Sequence, residues 1–263
     1  LPKIEAILFD LGDTLVHFET SRAREFLEAG TLPVYQRLSE WGFAPPPYAK
    51  YLRALKRSFA LAVIWSRVVR WEVDLQGAFR RMNRRWGIDL TDAQVTELGL
   101  LCVPPIRPFF TIDKRAHEVI PALSRAGFKL GLVSNTLFPG FAIDDVLRGE
   151  GLLEEFPVRV YSSEVRYMKP HRRIFELALE RLRAPAERTL FVGDRLDKDV
   201  RGSARAGMRT MWFARAGQRR RGRVTPDFII RDLSEIPVLL KSQCGAEAFP
   251  ARRELAPVAA LSR

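Results

Sequence analysis

Three short apolar runs, each cut off by a polar residue at its carboxyl end, constrain this chain more than any other feature. Ile4–Phe9 runs into Asp10, Phe128–Val133 into Ser134-Asn135, and Leu190–Val192 into Gly193-Asp194. Runs this short and this largely apolar, with little helical periodicity, read as strands buried on both faces, the kind found in parallel sheets. Polar residues at the tips of such strands stand where open α/β sheets gather their ligands. From Ile112 onward, helical stretches alternate with apolar strands. Helices are expected at 113–126, 143–148, 172–182, 197–206 and 234–241, with further strands at 158–161, 209–213 and 228–230. This alternation predicts a doubly wound parallel α/β sheet.

Between the first strand and Pro104-Pro105 the pattern is helical and no strand signal interrupts it. Ser21–Trp41 carries apolar residues at mostly helical spacing, and Gly30 and Pro33 are expected to divide it. Pro45-Pro46-Pro47 breaks the chain ahead of an amphipathic stretch, Tyr48–Val73. Asp74 and the Thr91-Asp92 pair read as N-caps of two further helices. The expected organisation is an α/β core domain from residues 1–16 and 105–241, an inserted all-helical cap domain at 17–104, and a loosely held tail at 242–263.

At 263 residues and 47% apolar content the chain can bury a large core. No apolar run reaches the roughly 18 residues of a membrane span, and Leu1–Lys3 leads into a strand with no visible secretory signal. Cys102 and Cys244 make no disulfide framework, so a reducing cytoplasm is expected. The net charge of +12 favours anionic partners, yet no zinc spacing, RNA-binding aromatic motif or recognition helix accompanies it. Nucleic acid is therefore not the expected partner. The run Arg219-Arg220-Arg221 with Arg223 reads as a solvated loop, and Arg80, Arg81, Arg84 and Arg85 as either a wet helix face or part of a cap that selects anions.

Asp10, Asp194 and Asp199, with Ser134, Asn135 and Lys169, are the chemistry-bearing groups that one sheet edge would collect. Clustered carboxylates repel one another unless a cation holds them. Oxygen ligands without His or Cys point to magnesium. FDLGDT at 9–14, LVSNT at 132–136, Lys169-Pro170 and GDRLDKD at 193–199 together resemble the four ordered motifs of the haloacid dehalogenase-like hydrolase superfamily. The resemblance runs from about Lys3 to Lys241 and implies a phosphatase with a helical cap, acting on a small phosphorylated substrate. It implies Asp10 as nucleophile, with Asp10, the Gly12 carbonyl, Asp194 and Asp199 around Mg2+. Ser134, the Asn135 backbone and Lys169 would bind the phosphoryl group, with Ser134 and Lys169 also catalytic. One departure stands out. The acid usually found two residues after the nucleophile is Gly12 here, and the next acid is Asp13. That favours substrates with good leaving groups, or a proton from Asp13, His17 or a cap residue. The rival readings are a 2-haloacid dehalogenase, whose branch lacks the same acid, and a catalytically weak phosphate-binding or acidic-partner module.

Overall fold

The computed structural model describes residues 3–69, 75–136, 138–165, 167–215 and 224–244. Asp74, the arginine run at 219–223 and most of the expected tail lie outside the described residues. At the centre is a six-stranded parallel sheet. Its strands are β1 (Ala6–Phe9), β4 (Lys129–Ser134), β5 (Val158–Tyr161), β6 (Thr189–Gly193), β7 (Arg209–Phe213) and β8 (Phe228–Ile230), in the order β5-β4-β1-β6-β7-β8. The chain winds outward from β1 in both directions, as the doubly wound reading requires. Alternate side chains serve opposite faces. Ile7, Phe9, Leu130, Leu132, Leu190 and Val192 join the core cluster under α5 (Ala116–Arg125), α6 (Gly140–Gly149) and α10 (Glu235–Cys244). Ala6, Leu8, Val133 and Phe191 face α8 (Arg172–Leu182) on the other side. With both faces covered the strands have no polar alternation, which is why they read as plain apolar runs.

Register carries the motif ends to one edge. Phe9 pairs with Leu132 and with Val192, so Asp10, Ser134 and Asp194 all emerge at the carboxyl side of three adjacent strands. Four helices lie between β2 (Val16–Phe18) and β3 (Phe110–Ile112): α1 (Ala23–Glu40), α2 (Tyr48–Val69), α3 (Leu75–Arg84) and α4 (Asp92–Ile106). They share a core that includes Val34, Leu38, Tyr51, Met82, Val95 and Leu98. Thr91 caps α4 through a reciprocal capping box with Gln94. Phe26, Phe109, Phe110, Phe138 and Phe18 interlock edge-on where this insert meets the sheet, with Phe18 and Phe26 centroids 4.9 Å apart. Among the described residues, no helix is long and apolar enough to cross a membrane.

Four expectations need correction. β2 and β3 form an antiparallel ribbon that the sequence reading missed, since three-residue strands carry too little pattern to register. Gly30 and Pro33 do not divide α1, which runs unbroken past both. Nor do Pro104 and Pro105 end α4, which continues to Ile106. The stretch expected as a helix from Asp197 begins instead as a π-helical turn, Leu196–Val200, followed by the short α9 (Arg201–Arg205).

Just ahead of β8, Asp227 ties the chain to the first residues of β7. Its Oδ2 accepts from both the Thr210 backbone N–H and the Thr210 hydroxyl at 2.8 Å, and its Oδ1 from Arg209 at 2.9 Å. Burial alone would raise this carboxyl, but the Thr210 bonds and Arg209 outweigh it and hold it below the ordinary value. A depressed carboxylate stabilises the fold above its unfolded pKa and loses that contribution as pH falls through its folded value. Asp227→Ala is therefore expected to lower the unfolding free energy by about 1 kcal/mol at neutral pH, the side chain being partly exposed. In urea titrations the gap from wild type should close as pH falls below about 4; a gap that persists in acid would contradict the assignment.

Candidate active site

Asp10 stands immediately beyond β1, where the turn that follows folds back on itself. Leu11 carbonyl accepts from the backbone N–H groups of Thr14, Leu15 and Val16, and Asp13 N–H donates to the Val16 carbonyl at 2.7 Å. This turn places the Thr14 hydroxyl 3.3 Å from Asp10 Oδ2, to which it donates. Lys169 Nζ donates to Asp10 Oδ1 and lies 2.8 Å from Asp199 Oδ1. Asp10, Lys169, Asp194, Asp199 and Ser134 are all buried. The carboxylates of Asp10, Asp194 and Asp199 each place an oxygen within 4.8 Å of the others.

Several neighbours build this arrangement. The Asn135 amide grips the Lys169 backbone both ways, donating to its carbonyl at 3.0 Å and accepting from its N–H at 2.7 Å. That side chain thus joins the end of β4 to the lysine loop. Asp199 Oδ2 accepts from Arg195 N–H at 2.9 Å, which turns the carboxylate back over the end of β6. A side chain at Gly193 could not be tolerated there, because its Cβ would lie 2.6 Å from the Asp199 carboxyl. Trp212 on β7 donates its indole N–H to the Asp194 carbonyl at 2.8 Å. The ammonium also faces the Phe191 ring at 5.4 Å, within cation–π range.

Burial pushes the Asp10 carboxyl up to about 7, against the pull of Lys169 and with the help of Asp199 and Asp194. Burial also pulls Lys169 down, but Asp10 and Asp199 overcome it and hold the ammonium above its ordinary value. Three carboxyl groups and one ammonium thus share one buried space. Asp199 Oδ1 receives no hydrogen bond and meets Lys169 only as an ionic contact. A buried carboxylate oxygen of this kind calls for compensation. An all-oxygen donor set suits a hard divalent cation such as magnesium.

The sequence-derived residues therefore meet at one edge, with one qualification. Asn135 contributes a side-chain clamp on Lys169 that the motif reading did not foresee. Thr14 and Trp212 were also missed; Thr14 lies within the first motif, whereas nothing in the sequence marks Trp212. Gly12 is exposed and a Cβ there would meet nothing within 4 Å. Asp13 takes a left-handed conformation (φ 60°) and its Oδ1 accepts from Arg215 at 2.6 Å. Arg215 also lies 3.0 Å from His17 Nδ1, and His17 Nε2 lies 3.6 Å from Asp113. Both proton-donor alternatives near the nucleophile are thus held in an ionic network. Arg80 and Arg84, weighed as anion selectors, pair with Asp92 and Asp89.

The sequence profile of the haloacid dehalogenase-like hydrolases matches residues 4–207. The chain belongs to that family. This hydrolase is 27% identical to phosphoserine phosphatase of Thermus thermophilus, over 89% of its own length and 98% of that protein. It is 33% identical to a pyrimidine 5'-nucleotidase of Escherichia coli, over 90% and 98% respectively. It is also 28% identical to (S)-2-haloacid dehalogenase of Pseudomonas sp., over 92% and 97%. The solved structure of a 2-haloacid dehalogenase from Pseudomonas syringae superposes with a TM-score of 0.64 at 22% identity, covering 91% of this chain and 99% of that one. Hydrolase relatives on both the phosphorus and carbon sides therefore share its architecture.

Removing the ammonium should leave Asp10 and Asp199 without their close counter-charge. Lys169→Met is expected to lose roughly 3–5 kcal/mol of stability in chelator, the usual cost of breaking a buried pair. Millimolar Mg2+ should restore part of that loss in thermal melts. A variant as stable as wild type, or indifferent to the cation, would contradict this account.

Proposed function

We propose that this hydrolase is a magnesium-dependent phosphatase that acts on a small phosphorylated metabolite through an aspartyl-phosphate on Asp10. The observation that carries the reading is the gathering of three buried carboxylates around one lysine, with an Asp199 oxygen that receives no hydrogen bond. Asp10, Asp194 and the Gly12 carbonyl would hold the cation, with Asp199 bound directly or through water. Bound there, the ion supplies charge neutralisation to the phosphoryl oxygens. The phosphoserine phosphatase and pyrimidine 5'-nucleotidase relatives, which match end to end, support phosphorus as the centre attacked.

The residues divide the work. An Asp10 carboxylate oxygen attacks phosphorus, the ester P–O bond breaks, and its electrons leave with the alcohol oxygen. Water then cleaves the acyl phosphate and returns the carboxylate. Lys169 offsets charge on nucleophile and phosphate, while Ser134 and the Asn135 backbone N–H donate to phosphoryl oxygens. Burial keeps bulk water from these interactions. Residues 1–16 and 105–241 would form the catalytic unit, 17–104 a cap over it, and 242–263 a tail. We place the enzyme in the cytoplasm.

Nothing at position 12 protonates the leaving oxygen, and Asp13 is engaged by Arg215. Aryl and acyl phosphates, whose leaving groups need little protonation, are therefore the favoured substrates. Gly12→Asp is sterically free, since its Cβ would meet nothing within 4 Å. With Mg2+, wild type is expected to release phosphate from p-nitrophenyl phosphate well above simple alkyl phosphates, and Asp10→Asn to be inactive. Gly12→Asp should raise alkyl turnover by up to ~10²-fold, general acid catalysis being worth about that or more. Equal rates on both substrates in both proteins would remove the leaving-group argument.

The second reading is carbon attack, favoured by the haloacid dehalogenase relative together with glycine at position 12. Chloride release from 2-chloropropionate in chelator, with no phosphate release under any divalent metal, would establish it instead.

A further inference from the structure

A cavity of about 460 Å3 lies between the helical insert and the segment after β4. Small-molecule sites run roughly 300–1,000 Å3, so it is ligand-sized. Phe26 on α1, Phe59 on α2, Phe79 on α3, and Phe138 and Phe141 beside α6 wall it with five phenyl rings. None of Asp10, Ser134, Lys169, Asp194 or Asp199 lines it. It is a separate feature of the molecule.

The polar groups in its wall are largely spent. The Thr31 hydroxyl donates to the Leu27 carbonyl at 2.5 Å, the Cys102 thiol to Leu98 at 3.1 Å, and the Ser163 hydroxyl to Phe138 at 2.9 Å. Apolar carbon finds a nearly continuous surface in such a space, and pockets of this character accept apolar molecules. The exposed lining residues Gln76, Thr96 and Glu164 mark its mouth. Among the described residues, Glu164 is the single charged group in the lining. Partial desolvation and the nearby Asp144 raise its carboxyl, against Arg181, the Gly140 N–H and Arg159; an uncharged or cationic group suits a lining whose one charged member is a carboxyl better than a second anion does.

We propose that this cavity is a binding site for a small apolar molecule with an uncharged or cationic head, such as an aliphatic or aromatic alcohol or amine. The apolar body packs among the phenyl rings and the head lies at Glu164. Because the wall combines α1–α4 with the segment that follows Ser134 and Asn135, an occupant ties the insert to the sheet. The site shares no wall residue with the acid cluster, so it stands whether phosphorus or carbon is attacked at Asp10.

Decylamine, decanol and decanoate, kept below micelle formation, are the probes, titrated calorimetrically into the full chain carrying Asp10→Asn. The amine and the alcohol should bind saturably, with decanoate weaker by about tenfold or more. Glu164→Gln should erase most of the amine's advantage over decanoate and leave decanol unchanged. Ala78→Phe and Val95→Phe, which fill the space from different helices, should each weaken decanol by about tenfold or more. Absence of saturable binding by all three probes would overturn the proposal. So would decanoate binding tightest, or affinity unchanged in the filled variants. Should both filled variants fail to fold, the Glu164→Gln comparison decides alone: an unaltered preference between amine and decanoate overturns the site.

Discussion

The buried ammonium of Lys169, held between Asp10 and Asp199, is the interaction on which the rest of the site depends. Three ions taken out of water carry a large desolvation cost, and only close opposite charges and well-placed hydrogen bonds offset it. The supporting residues do that work. Asn135 fixes the lysine backbone, Thr14 turns Asp10, and the Arg195 N–H turns Asp199 over a glycine that leaves it room. Each support comes from the loop at a different strand end. The cluster therefore depends on strand register: slipping β4 or β6 by one residue against β1 would turn the side chains beyond it to the wrong face.

The turn after β1 settles a second matter. Position 12 carries no side chain and position 13 points its carboxylate at Arg215, so the acid is displaced by more than one place in sequence. Successive residues in a tight turn diverge in direction, and a left-handed residue diverges further. Under the proposed reading the nucleophile and the cation ligands are present while the usual proton donor is missing. That combination separates bond formation at Asp10 from protonation of the leaving group, which is why leaving-group chemistry bears on the function so directly.

How much of this was legible in the sequence depended on how local its cause was. Strands buried on both faces announce themselves by composition, and the carboxylates at their tips by abruptness. Thr91 caps its helix within one turn, so the Thr91-Asp92 pair sufficed to mark that start, and Gln94 completes the cap in the structure. The β2–β3 ribbon was invisible because Val16–Phe18 becomes a strand only by pairing with Phe110–Ile112, far along the chain. Pro33 suggested a break, yet packing of α1 along α4 outweighs the lost hydrogen bond. The Asn135–Lys169 clamp and the Trp212 bond to Asp194 were illegible for the same reason: each joins residues that only the sheet order brings together.

The ribbon also determines how the insert is attached. Both chain crossings between insert and sheet pass through it, and His17 on β2 and Asp113 just past β3 meet Arg215 and Asp13 in one ionic network. Asp13 belongs to the turn that orients Thr14 and hence Asp10. A rotation of the insert about the ribbon must therefore either carry Asp13 along or break its bond to Arg215. Exposed ion pairs are individually weak, so the second course is cheap. The buried Lys169 cluster has no such freedom, because separating its charges leaves them uncompensated away from water. A rotation of the insert would therefore cost less at the ribbon than at the Asp10–Lys169 cluster.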